Sequence, residues 1–319
     1  MTQFTQTKLH ALPHLGIIRA QGPDAETFLQ GQFSNDVRLL NDQQAQITSY
    51  NSPKGRMLAV LLLIREAPDS ILLNVEQSVL DATLKRLRMF ILRSKVTLTN
   101  VSHEIAALGL SGENVEQFLT TSNLPAPTGH WACGQAGGLH VIRLPGDQPQ
   151  FVIQGPVALV QTLHERFKNL ACPASADDWR ALCIRAGIPS VFPQTSDHFV
   201  AQMANLDLIG GISFSKGCYT GQEIVARLHY LGQLKRRMFY ASTAATSVEP
   251  GTPVYASGHE QAVGEVAQAA STDNQTLVGI VLQLSHAESD ILHLGSTEGP
   301  LLTRPQKPAC LASLNDTRS

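Results

Sequence analysis

Strand-like and helix-like segments alternate along this chain as far as Arg237, and beyond it only strand-like segments follow. His14–Ala20 reads as a strand, and Gly22-Pro23 leads into a helix over AETFLQGQF with Asp24 as its candidate cap. A turn at Ser52–Arg56 (SPKGR) precedes the apolar strand Leu58–Ile64, and a second strand covers Ile71–Val75. Leu80, Leu84, Leu87 and Ile91 then recur at helical spacing along one face. The alternation continues with strands at Ala106–Leu110, His140–Leu144 and Gln150–Gln154, and helices at Gly112–Thr121, Val157–Leu170 and Asp177–Ala186. Gly187-Ile188-Pro189 ends the last of these. Such an order implies an α+β fold, with helices on one face of mainly antiparallel sheets. From Phe239 the chain turns at EPGTP, ASGHE, STDNQ and GSTEG, which predicts a small all-β barrel or sandwich and a domain boundary near residue 238. The last residues, from about Asn315, are expected to be loose.

Length and composition narrow the function classes. A chain of 319 residues, 43% hydrophobic and 16% charged, suits two or three ordered domains. A net charge of −2 gives no global attraction to nucleic acid, so strong direct nucleic-acid binding is not expected and any RNA contact has to come from a local patch. No run approaches the roughly 18 apolar residues that span a bilayer, and MTQFTQTKLHALPH lacks a signal-peptide pattern. A cytoplasmic protein without membrane contact is therefore expected. Cys133, Cys172, Cys183, Cys218 and Cys310 include no C-x-x-C pair, which argues against disulfides, zinc or any other protein-held metal. Lys85, Arg86, Arg88, Arg93 and Lys95 fall between Asp81 and Glu104 with no acid in the interval. That stretch reads either as a solvated helix face or as a landing site for an anionic partner.

The densest chemistry lies in KGCYTGQE, Lys216–Glu223. Thr220 and Glu223 fit a capping box, and Ile224, Val225 and Leu228 support a helix that starts there, with Glu223 and Arg227 spaced for an ion pair. Cys218 would then precede a helix N-terminus, where unpaired N–H groups favour an anion. Lys216, Arg227 or His229, if close, would raise its thiolate fraction, and Gly217 and Gly221 allow tight turns around it. An ordinary buried cysteine in a helix-entry loop has the same spacing. The segment is no phosphate loop, because Lys216 precedes its glycine.

KGCYTGQE, with Ala226-Arg227 after it, closely resembles the defining motif of the YgfZ family of folate-binding proteins, relatives of the glycine-cleavage T-protein. The resemblance extends through GPDAETFLQGQFSNDV (22–37), SPKGRMLA (52–59), LRSKV (92–96), WRALCIRAGIP (179–189) and AQMANLDLIGGISF (201–214). It implies two ferredoxin-like domains, one of them discontinuous (1–46 with 120–237, and 47–119), and a C-terminal β-barrel (238–319). These would surround a central channel for tetrahydrofolate or a derivative. It further implies a role in tRNA modification and in assembly or repair of iron–sulfur enzymes, which would be partners of an accessory protein expected to be a monomer. Cys218 carries over as the reactive residue. Lys216, Tyr219, Gln222, Glu223 and Arg227 stand around it, and Trp179 matches a tryptophan associated with folate. A second family tryptophan aligns with Leu15 here, an aliphatic side chain in place of an aromatic face. An aminomethyltransferase of the T-protein kind and a non-catalytic folate sensor or adaptor are the alternative functions.

Overall fold

Two largely antiparallel sheets face each other across an apolar layer, and each is covered on its outer side by helices. The computed structural model describes residues 6–272, 275–288 and 291–312. The expected loose end from Asn315 lies outside them. In chain order the first strands are β1 (Lys8–Ala11), β2 (Leu15–Gln21), β3 (Gln46–Asn51), β4 (Met57–Ala67), β5 (Ser70–Glu76) and β6 (Thr97–Asn100). They are followed by β7 (Ile105–Ser111), β8 (Cys133–Ala136), β9 (Leu139–Leu144), β10 (Gln150–Pro156) and β11 (Cys172–Ala174). The helices among them are α1 (Ala25–Gln30), α2 (Gln77–Arg88), α3 (Val115–Thr121), α4 (Val157–Phe167) and α5 (Ala176–Ala186).

One sheet has the order β3-β4-β5-β2-β6 and the other β11-β1-β7-β10-β9-β8. Only the β1–β11 pair within them is parallel. In β4, Ala59, Leu61 and Leu63 point into the core shared with α1 and α2, whereas Val60 and Leu62 point into the layer between the sheets. Both faces are covered, which is why LAVLLLI reads as a continuous apolar run. Phe118, Phe151 and Phe167 fill the corresponding outer core beneath α3 and α4. At the centre of the inner layer Asn74 of β5 and Gln154 of β10 exchange hydrogen bonds, so two buried amides satisfy each other across the sheets.

Sheet membership crosses the residue ranges expected for the domains. β2, within 1–46, pairs with β5 of 47–119, and β7, within 47–119, pairs with β1 and β10. Local details differ too. The Asp24 side chain makes no cap bond to α1; it accepts from the Lys95 backbone N–H at 2.7 Å, tying the helix entry to the loop after α2. α2 ends at Arg88, so Ile91 packs from the following turn rather than from the helix. α5 is capped by a reciprocal Ser175–Asp178 box and closed by Gly187.

The C-terminal part forms a third sheet of β12 (Arg236–Thr243), β13 (Pro253–Ala256), β14 (Ala262–Thr272), β15 (Gln275–Gln283) and β16 (Leu292–Leu294), preceded by α6 (Gln222–Tyr230) and followed by α7 (Ala309–Ala312). Its order, β12-β15-β14-β13-β16, is a half-barrel. Residues 301–306 span the gap, with Leu301 bridging to β16 and Gln306 to β12. The sheet packs against α5 through β14 and β15. No helix among the described residues is long and apolar enough to cross a membrane.

Candidate functional site

A cavity of about 100 Å³ lies where the two facing sheets, α5 and β14 meet. Leu15, Val60 and Leu62 supply one wall and Leu144 and Val152 the other, all from strand positions facing the inner layer. Both tryptophans of the chain line it. Trp179, on α5, lies so close to β7 that a Cβ on Gly109 would stand 2.5 Å from its ring. Trp131, in the loop before β8, has a positive φ of 62° and donates its indole N–H to the Ile209 carbonyl at 2.8 Å. A bulky residue in the left-handed region needs such an anchor.

The polar groups of the cavity are incompletely satisfied. The Glu76 carboxylate, 9% exposed, accepts from Arg180 at 2.8 Å. Burial pushes its pKa up to about 7, only partly opposed by Arg180. The ion pair and the raised pKa pull in opposite directions; burial prevails because a single guanidinium does not replace the lost hydration. Burial and the same Arg180 charge push His14 down to about 4, so its imidazole is neutral. His14 Nδ1 and Arg180 Nε are buried without a hydrogen-bond partner among the described residues.

The motif lies elsewhere. Lys216 is buried at 5% exposure, and its ammonium donates to the carbonyls of Gln30 (2.7 Å), Phe33 (2.6 Å) and Asn35 (2.8 Å). It thereby closes the C-terminal end of α1, where a cation complements the helix dipole. Burial lowers its pKa to about 8, yet three acceptors call for all three ammonium protons. The Tyr219 ring lies 5.1 Å from that ammonium and is buried as well. Gly217 and Cys218, between these two anchors, are left exposed. The thiols of Cys133, Cys183 and Cys310 are the opposite case, pushed by burial to about 11, 12 and 12.

Beyond Cys218 the chain docks on the SPKGR turn. Gly221 has φ +81°, and a Cβ there would sit 2.5 Å from the Ser52 carbonyl oxygen and 2.8 Å from Gly55 Cα. A Cβ on Gly55 would in turn meet Ile224 Cβ at 2.7 Å. The turn itself is held by the Ser52 hydroxyl donating to Asp197 at 2.6 Å. This contact overturns the expected capping box. α6 starts at Gln222 with Gly221 at its N-cap, no side chain caps it, and no ion pair joins Glu223 to Arg227 among the described residues. Close glycine-to-backbone packing, rather than a threonine hydroxyl, sets this helix start. Two of the three cations expected around the thiol are also engaged elsewhere. Lys216 caps α1, and the His229 ring stacks on Phe214 at 3.7 Å.

Among the residues expected to hold a cofactor, the fold brings Trp179 and Leu15 to the cavity. Lys216, Tyr219, Gln222, Glu223 and Arg227 belong to the loop and α6, and none of them lines it. The β3–β4 hairpin links the two places. Ile47, Val60 and Leu62 line the cavity and the hairpin tip holds α6, roughly 17 Å away at ~3.3 Å per residue. Sequence reasoning missed Trp131; the rarity of tryptophan was its only signal. It also missed Glu76, His14 and Arg180. Among the described residues no group of three His, Cys, Asp or Glu side chains converges as a metal site requires.

Comparison with known proteins adds the following. Residues 5–127 match the GCVT N-terminal domain family. The chain is 33% identical over 240 residues to the tRNA-modifying protein YgfZ of Colwellia psychrerythraea, covering 75% of this chain and 72% of that one. It is 32% identical over 243 residues to the protein of the same name from Photorhabdus laumondii, with the same coverages. For the Enterobacter protein the figures are 31% over 240 residues, 75% and 73%. Among solved structures, aminomethyltransferase T of the glycine cleavage system from Bartonella henselae superposes with a TM-score of 0.76 at 15% identity, covering 96% of this chain and 87% of that one.

Proposed function

This chain belongs to the YgfZ family, and from that premise we propose that it serves tRNA modification as a folate-binding accessory protein for iron–sulfur enzymes, with Cys218 as its reacting thiol. The observation that carries the reading is the presentation of Cys218, exposed between the two buried anchors Lys216 and Tyr219. Such an arrangement spends a buried ammonium and a buried ring to hold a thiol outward, where a partner enzyme can reach it. The likeness to aminomethyltransferase T supports the fold and no more, since one fold hosts many reactions.

The cavity residues fit tetrahydrofolate or a derivative. Trp131 and Trp179 offer aromatic surface. The unpartnered His14 Nδ1 and Arg180 Nε, with the Glu76 carboxyl, offer the mixed donors and acceptors that the edge of a fused pyrimidine requires. About 100 Å³ is the space of a few waters, so a bicyclic ring enters only as the lining side chains part. When bound, a folate supplies a carrier for one-carbon units. The separate positions of thiol and cavity favour an accessory role over aminomethyl transfer. The three sheets are the natural domain cores, with β2 and β7 exchanged relative to the ranges 1–46, 47–119 and 120–237.

In a strain lacking the protein, the wild-type chain is expected to restore tRNA methylthiolation and Cys218→Ala is not, as read by mass spectrometry of digested tRNA. Full restoration by the alanine variant would remove the thiol from the proposal.

A further inference from the structure

The net charge of −2 conceals a local concentration of cations. Between Glu223 and Glu249 the chain has no acidic residue, and the interval holds Arg227, Lys235, Arg236 and Arg237. Asp207 neutralises Arg237 through two contacts, at 2.6 and 2.9 Å. Arg227, Lys235 and Arg236 make no ion pair among the described residues. Lys54, on the turn that holds the start of α6, is exposed as well.

On and before the helix that carries Arg227 lies an aromatic cluster that is seated on the core at Phe214 and runs outward to Tyr230. Phe214 and His229 stack at 3.7 Å with planes 14° apart, and the Tyr230 ring stands 4.7 Å from His229 at 80°. Tyr230 is 65% exposed and Leu231 85%. Burying Tyr230 would be the ordinary use of such a ring. Here its face is left to solvent at the C-terminal end of the helix whose N-terminal end follows Cys218. Unpaired cations beside accessible ring faces are the pattern that holds single-stranded nucleic acid, since phosphates take the charges and bases take the rings. An acidic protein segment would use the cations and leave the rings idle.

We infer that α6 and the segment after it form a docking surface for the unpaired loop of an RNA, which stacks on Tyr230 and is held by Arg227, Lys235 and Arg236, on and after the helix that follows Cys218. The inference rests on the proposed role in tRNA modification and specifies its substrate side. The chain itself, and not only a partner enzyme, touches the RNA.

Fluorescence anisotropy of the full chain with a labelled RNA stem–loop, and with the same stem as a blunt duplex, tests it over a range of potassium chloride concentrations. The stem–loop is expected to bind more tightly than the duplex. Tyr230→Ala is expected to weaken it about tenfold, the loss of one stacked base. Arg227→Gln with Lys235→Gln is expected to lower the salt slope by about 1.4. Lys85→Gln with Arg93→Gln, which removes the same charge from the last turn of α2 and the loop after it, is expected to leave binding unchanged. The surface is refuted by absent stem–loop binding at low salt, or by equal losses in the two charge variants. An inert Tyr230→Ala together with displacement of the RNA by polyglutamate also refutes it, marking an acidic-protein surface instead. If RNA fails to bind while Cys218→Ala still abolishes methylthiolation in cells, the docking surface falls and the role in modification stands.

Discussion

Lys216 donates to three main-chain carbonyls, and no other side chain among the described residues does, so its removal strands buried acceptors as well as losing the bonds. Lys216→Met is expected to cost about 3–5 kcal/mol, visible as a lower urea midpoint at unchanged slope. The sequence marked this lysine for its nearness to Cys218. Its actual partners stand up to 186 residues away, and no local pattern could disclose them. The cavity carries a second residue-scale consequence. Glu76, with its pKa raised from 4.5 to about 7, binds an extra proton in the folded state over that window, so its contribution to stability falls as pH rises from 4.5 to 7. His14, lowered from 6.5 to about 4, acts with the opposite sign, and its contribution rises from pH 4 to 6.5. The two nearly cancel where they overlap. Glu76→Gln removes one slope and leaves burial and Arg180 to keep His14 depressed. Stability of that variant is expected to rise by about 3 kcal/mol between pH 4 and 6.5, measured by urea unfolding at each pH.

α6 shows how a helix start can be foreseen while its cause is not. Thr220-Gly221-Gln222-Glu223 satisfies the capping pattern, and the helix does begin there. The cause is the approach of Gly221 to Ser52 and Gly55, which join two motifs far apart in sequence. Two substitutions separate these explanations. Thr220→Ala is expected to change stability by less than about 0.5 kcal/mol, because its hydroxyl caps nothing. Gly221→Ala places a Cβ against backbone that cannot yield and imposes a positive φ on alanine. A loss of about 2–3 kcal/mol is expected in the same urea experiment. Equal effects from both would restore the threonine cap. α2 teaches a related lesson. Its buried stripe of Leu80, Leu84 and Leu87 was legible, because helical period is a property of neighbours. Its end at Arg88 was not, because Ile91 continues the same spacing from a turn.

At the scale of the whole molecule, the cavity exists only because two sheets, α5 and β14 converge, and it gathers both tryptophans. Tetrahydrofolate is expected to quench the intrinsic fluorescence of the wild-type chain. Trp131→Phe and Trp179→Phe should each retain part of the response and the double variant none. An unresponsive wild-type chain would sink the folate reading. The replacement of a family tryptophan by Leu15 looked like the loss of an aromatic face, yet the fold brings Trp131 to the same cavity from the loop before β8. The sequence by itself determined the α+β order of segments, the change to strands alone after Arg237, and the family, through KGCYTGQE and the runs around it. Each depends on residues that are neighbours along the chain or on a short motif with few alternatives. Tertiary structure alone decided that β2 joins β5 while β7 joins β1, that Lys216 closes α1, and that the thiol and the cavity lie at different stations of one hairpin. Those outcomes come from burial and hydrogen-bond satisfaction between distant segments, which act only once the layers have met.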